Sequence, residues 1–213
     1  MTQHSAFMSN LVSIDLEVDP STAKLFAFAA VRGGDSASLT IRRGVDAAAL
    51  DRLDAFCAPA QHIIGHNILR HDLPHLAAQR AGLQRLGAAP IDTLWLNPLA
   101  FPRNPYHHLV KHYQDGRLQA GHVNDPQADA RLVFDVLGDQ ITAFEGFQRA
   151  QPDLLTAYHY LTTRASAVGG FDAVFTYIRR WPKPSAEAAL ATIRRVLVGQ
   201  VCAQRLEQTL GRL

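Results

Sequence analysis

Two carboxylates at a spacing of two, Asp15 and Glu17, stand near the start of the chain. On an extended strand such residues point to one face. Leu11–Val18 reads as that strand, because Val12, Ile14, Leu16 and Val18 alternate with the other residues. Side-by-side carboxylates repel. A hard divalent cation such as Mg²⁺ or Mn²⁺ relieves the repulsion, since it takes oxygen ligands and keeps several of its waters. Taken alone, the pair also reads as the solvated side of an antiparallel strand. A second cluster runs from Ile63 to Leu76: a short apolar stretch, a Gly65-His66-Asn67 turn, and Asp72 at the head of a helix, where the helix dipole also favours an acid. His66, His71 and His75 follow none of the usual zinc layouts, having neither cysteine nor a His-x-x-x-His pattern backed by glutamate. A third group of acids, Asp125 and Asp129, lies in Asn124–Leu132.

The elements that must position these residues follow from periodicity and punctuation. Leu11–Val18, Lys24–Val31 and Ser38–Ile41 read as strands, with Gly33-Gly34-Asp35 as a turn. Asp46–Phe56 has helical spacing, His62–Gly65 is a short buried strand, and Leu73–Ala81 is a helix that Gly82 can end. Pro90–Leu96 reads as a strand running into a turn, and the prolines at 98, 102 and 105 preclude a long regular element. Helices are expected over Tyr106–Tyr113 and Pro126–Phe147, and in the tail over Asp153–Arg164, Phe171–Arg180 and Ser185–Leu210. The order implies an α/β fold, a mixed sheet with helices packed on it, over 1–149, followed by an all-helical extension over 150–213.

The chain has 213 residues, 47% hydrophobic and 19% charged, a balance that argues against disorder and allows a sizeable core. No stretch approaches the roughly 18 apolar residues of a membrane span, and Met1–Asn10 lacks the basic end and apolar run of a secretory signal. Cys57 and Cys202, far apart, argue against a disulfide framework and for a reducing cytoplasm. From Arg164 to Leu213 there are eight Lys/Arg against three acids, so the tail is basic while the rest is mildly acidic. A basic tail suits phosphates, and equally a solvated helix face.

The Asp15-x-Glu17 strand, the Gly65-His66-Asn67 turn leading to Asp72, and Ile91-Asp92-Thr93-Leu94 resemble the DnaQ-like (DEDD) 3′–5′ exonuclease family. The resemblance implies an RNase H-like fold, here a mixed five-stranded sheet flanked by helices. The family's third motif ends in an Asp followed by Ala and an apolar helix. Asp129-Ala130 with Leu132 and Val133 matches this better than Asp125, which then serves as the cap region before Pro126. The general-base histidine of one subgroup lies five residues earlier, and that position here is Asn124, whose amide takes no proton from water. His122 is the substitute. More narrowly, Leu99–Lys111 and Asn124–Asp129 resemble the exonuclease-like region ahead of the helicase in some bacterial RecQ-family proteins. No Gly-rich phosphate loop with Gly-Lys-Thr/Ser occurs, so the chain carries no helicase motor.

The resemblance implies hydrolysis of phosphodiester bonds with two Mg²⁺ or Mn²⁺ ions about 3.5–4 Å apart. Asp15 would bridge both ions, Glu17 and Asp129 would complete one site, and Asp72 would hold the second. His122 would act as base, and Asn124 would orient water or phosphate. His66, Asn67, Arg103 and Lys111 would contact the substrate. The expected partner is nucleic acid, single-stranded DNA before RNA given the helicase context, with a helicase in cis or trans and a role in DNA repair; no membrane partner is expected. The alternative is a catalytically impaired exonuclease fold that binds DNA or protein, or a module that works through its tail at Trp181-Pro182-Lys183-Pro184.

Overall fold

The alternation around Asp15 and Glu17 is realised as the central strand of a sheet. The computed structural model describes residues 4–86, 89–105, 107, 113–114, 117–118, 125–164 and 169–213. A one-turn helix α1 (Ser5–Met8) leads into β1 (Leu11–Val18), β2 (Leu25–Arg32) and β3 (Ser38–Ile41). Then come α2 (Ala47–Cys57), β4 (His62–Gly65), α3 (Asp72–Gln79), β5 (Ile91–Asp92) and α4 (Thr93–Ala100). β6 (Tyr113–Gln114) and β7 (Arg117–Leu118) form a small antiparallel pair. The rest is helical: α5 (Pro126–Ala150), α6 (Pro152–Thr162), α7 (Gly170–Arg179), α8 (Ala186–Leu197) and α9 (Ala203–Leu210). The chain divides into two compact units, Met1–Gln140 and Ile141–Leu213, with the division inside α5.

In the first unit the strand order is β3-β2-β1-β4-β5. β2 runs antiparallel to both β1 and β3, whereas β4 runs parallel to both β1 and β5. One face carries Val12, Ile14, Leu16, Phe28 and Ala30, packed in one core with Ala49, Leu50 and Leu53 of α2 and Leu76 of α3. Phe28 and Leu53 are 0% exposed; burying each contributes about 1.5–3 kcal/mol. The other face pairs Ser13, Asp15 and Glu17 with Val31, Ala29 and Ala27. Both alanines are buried, so this face of the sheet is covered as well. Phe134 of α5 reaches this side. At Gly33 a Cβ would lie 2.9 Å from the Phe134 ring and 2.1 Å from the Met8 carbonyl oxygen, so only glycine fits. Asp125 starts α5 as a cap: its Oδ1 accepts the Gln127 N–H at 3.1 Å and its carbonyl accepts the Asp129 N–H at 3.0 Å.

Two expectations change, and a third lies largely outside the described residues. Pro90–Leu96 is a strand only at Ile91–Asp92, because the Asp92 carboxylate accepts the Leu94 N–H and caps α4. α4 then runs through Pro98, two residues from its end at Ala100, and forgoes one helical hydrogen bond there. The helix expected over Tyr106–Tyr113 lies outside the described residues, except that His107 is irregular and Tyr113 pairs with Leu118 in β6. Ser185–Leu210 is two helices, broken where Gly199 takes φ +77° and Val198 bridges Val201. α1 had no counterpart in the periodicity, being too short to show one.

The second unit is built from amphipathic helices. Ala157 and Tyr160 of α6 pack with Ala189 and Ile193 of α8, and Leu210 closes the cluster. Phe144 meets Phe175 of α7 with ring centroids 5.3 Å apart. His159 is buried within this unit, stacked on Phe175 at 5.6 Å. Arg179 donates to its Nδ1 at 2.7 Å, and because Arg has no acceptor, the ring proton must sit on Nε2, which donates to Asp172 Oδ1 at 2.7 Å. Burial, foremost, and the charges of Arg179 and Lys183 hold this imidazole below its ordinary value, against the Asp172 hydrogen bond. A base depressed in the folded state contributes stability that is present above its unfolded value of about 6.5 and is lost as pH falls through its folded value. Thermal melts between pH 7.5 and 5 are therefore expected to drop further for the natural chain than for His159→Gln; parallel curves would contradict this placement.

Candidate metal centre

Three carboxylates converge at the carboxyl end of the parallel strands, the end at which open α/β sheets bind ligands. β1 sends Asp15 and Glu17 to one side, and a register shift between Glu17 and Val18 marks a local bulge, a device that re-aims a side chain. The first turn of α5 brings Asp129. One oxygen from each of the three residues lies within 4.8 Å of the others. Asp129 is buried, while Asp15 and Glu17 are half-buried. Among the described residues this is the one such gathering of three or more His, Cys, Asp or Glu side chains. Like charges this close repel by something on the order of 1–3 kcal/mol per pair at a partly exposed site. The amino end of α5 offsets part of that for Asp129.

Asp72, the first residue of α3, stands beside this group rather than in it. It is 4% exposed, and its Oδ1 accepts the N–H of Leu16 at 3.2 Å. Leu16 lies between Asp15 and Glu17, so this bond ties α3 to the strand that carries both. His71 Nδ1 is 3.8 Å from Asp72 Oδ2. Its interaction with Asp72, foremost, and the charge of Glu17 push the imidazole above its ordinary value, against partial burial.

The turn from β4 to α3 is built for close approach. At Gly65 a Cβ would meet Ile68 at 2.9 Å. Asn67 adopts φ +70°, a left-handed conformation that Asn tolerates better than most residues. Asp92 holds this turn. Its Oδ1 accepts the N–H of Asn67 at 3.0 Å and of Leu94 at 2.9 Å, and its Oδ2 accepts that of Leu69 at 3.1 Å. Asp92 is 0% exposed; burial pushes its carboxyl up, and the backbone donors pull it back. The Thr93 hydroxyl donates to the Gly65 carbonyl at 3.2 Å, so at 3.0 Å it accepts from His66, whose Nδ1 must carry the proton. The buried Gln140 amide donates to the Thr93 carbonyl at 2.7 Å and to Asn97 Oδ1 at 2.9 Å, fixing α5 against α4.

The donor set is oxygen-only and partly open, which suits Mg²⁺ or Mn²⁺ and not a soft metal. Cysteine chemistry has no place at it: Cys57 is buried and its thiol is pushed up to about 12, by burial first and by the Asp54 charge. His71 and His75 pack as rings with centroids 5.0 Å apart, and among the described residues no histidine joins the acidic group. The structure thus gathers Asp15, Glu17 and Asp129 and sets Asp72 against their strand, with His66 and Asn67 on the turn that leads to it. Arg103 lies exposed in the turn after α4. Lys111, His122 and Asn124 lie outside the described residues. Sequence reading placed Asp92 only as part of a strand; the available signal was an acid immediately before a helix start.

Comparison of the chain with protein-family models, with curated proteins and with solved structures finds no match. No helix among the described residues is long and apolar enough to cross a membrane.

Proposed function

We propose that this chain is a divalent-metal-dependent 3′–5′ exonuclease on an RNase H-like fold, hydrolysing phosphodiester bonds of single-stranded DNA. One observation carries the reading: Asp15, Glu17 and Asp129 present oxygens within 4.8 Å of one another from a strand and a distant helix. Side chains so far apart in sequence do not meet by local propensity, and their repulsion is relieved by a cation. The mixed five-stranded sheet, with its acidic pair on the central strand and the last acid on a late helix, supports the RNase H-like assignment.

Asp15, Glu17 and Asp129 would hold the metal, with Asp72 as the further ligand beside them. Bound Mg²⁺ or Mn²⁺ supplies a water acidic enough to attack near neutral pH and neutralises charge on the reacting phosphate. The carboxylates accept and do not donate, so they orient that water without competing for the phosphate oxygens. Asp72 fixes α3 against β1, and Asp92 fixes the His66–Asn67 turn over which the strand end would lie. His122 is the residue assigned to take the proton, and Asn124 to orient water or phosphate; Arg103 and Lys111 are assigned to phosphates. A helicase, in cis or trans, is the macromolecular partner that the narrower resemblance implies.

The test is incubation of the purified chain with 5′-labelled single-stranded DNA in Mg²⁺ or Mn²⁺, with EDTA and Asp15→Ala as controls. A ladder of shortened products that both controls abolish is expected. Intact DNA in both metals, with the protein still bound to it, would overturn the enzyme reading in favour of a binding module.

A further inference from the structure

Two exposed side chains, Arg70 two residues before Asp72 and Trp95 on α4, form a unit that the proposed chemistry does not use. The Arg70 guanidinium carbon lies 5.2 Å from the centre of the Trp95 ring. Trp95 is 39% exposed and Arg70 is exposed. Both stand on rigid backbone, because Asp92 accepts the N–H of Leu69, next to Arg70, and the N–H groups of Leu94 and Trp95 itself. Arg70 precedes Asp72 by two residues, at most about 7 Å of chain. Asp72 in turn is hydrogen-bonded to β1 between Asp15 and Glu17. An indole in this position costs exposed apolar surface, and a cation over it keeps one ring face ordered while leaving N–H donors free for an anion.

We infer that Trp95 and Arg70 form a binding subsite for single-stranded DNA, Trp95 stacking on a nucleobase and Arg70 pairing with an adjacent phosphate. Aromatic stacking tolerates any base, and arginine recognises phosphate oxygens in pairs, so the subsite holds a strand without reading its sequence. It rests on the exonuclease reading and names how that site grips its substrate.

The chain contains two tryptophans, at 95 and 181. With Trp181→Phe as background, the emission reports Trp95 alone. Oligo(dT) added in EDTA is expected to quench it. Trp95→Ala is expected to weaken binding and raise KM roughly ten- to hundredfold, with kcat changed less than about threefold. Trp95→Phe should restore most of the binding, and Arg70→Ala should flatten the salt dependence of Kd by about one phosphate contact. Cleavage by the natural chain with no quenching and an unchanged KM in Trp95→Ala would overturn the subsite and leave the exonuclease standing. Neither binding nor cleavage by the natural chain overturns both. Stronger quenching by oligo(rU) than by oligo(dT) overturns the assignment to DNA. Circular dichroism of Trp95→Ala, whose side chain is exposed, separates any folding defect from lost binding.

Discussion

Asp129→Asn is expected to abolish metal-dependent cleavage and, in metal-free solution, to raise the melting temperature. The first effect follows from removing one of three carboxylates whose oxygens lie within 4.8 Å. Metal-centred stabilisation of a phosphoryl transition state amounts to several kcal/mol, so a loss of about a thousandfold or more in rate is expected. The second follows from the repulsion in the same group. Asparagine keeps the shape and loses the charge, relieving something on the order of 1–3 kcal/mol per pair. It forfeits a helix-terminus interaction of about 0.3–1 kcal/mol. At the lower end of these ranges, two pairs less the helix term favour the variant by about 1 kcal/mol, or about 2–4 °C. Mn²⁺ then reverses the order: at a hundred times Kd it stabilises the natural chain by about 2.7 kcal/mol and leaves Asp129→Asn where it was. Melting curves with and without Mn²⁺ check both halves. A variant that melts lower in EDTA, and shifts with Mn²⁺ as the natural chain does, would contradict the metal centre.

Asp92→Ala is expected to cost about 3–5 kcal/mol of stability and to remove activity with it. Asp92 is 0% exposed, and its two oxygens take the N–H groups of Asn67, Leu69 and Leu94. Truncation leaves those half-buried donors without this partner, at about 1–3 kcal/mol apiece, partly relieved where water enters. It also releases Asn67 from its left-handed turn and uncaps α4. Asp92→Asn preserves the volume but presents an NH₂ where one acceptor stood, so a loss of about 2–3 kcal/mol is expected. Urea titrations should show a lower midpoint at an unchanged slope. A change below about 0.5 kcal/mol in either variant would mean that the turn is held by other contacts.

The sheet was legible because its pattern is physical. Val12, Ile14 and Leu16 must face a core, which sends Asp15 and Glu17 to the opposite face, and the structure has them so. Asp125 as cap followed from Pro126 at a helix start, whereas Asp129 was singled out by the resemblance of Asp129-Ala130 to a family motif and not by spacing. The meeting of β1 with α5 was not legible from spacing: it joins side chains far apart in the chain, and the approach of Phe134 to Gly33 is a tertiary fact. β5 was read too long because strand and helix share apolar residues, and only the Asp92 carboxylate decides where one becomes the other. Gly199 gives no clear break in the sequence, because a single glycine is tolerated inside a helical pattern. Asp92 itself looks like any polar residue in a strand until the turn at Asn67 is folded onto it.

Mn²⁺ binding followed by electron paramagnetic resonance tests whether Asp15, Glu17 and Asp129 hold divalent metal for phosphodiester hydrolysis. Titration of the natural chain with Mn²⁺ in the presence of a nucleoside monophosphate is expected to show two ions bound per chain, with the free-ion signal lost stoichiometrically. Asp15→Asn and Asp129→Asn should each abolish the tighter site. A free-ion signal that persists undiminished into the millimolar range, equally in the natural chain and both variants, would contradict the metal centre.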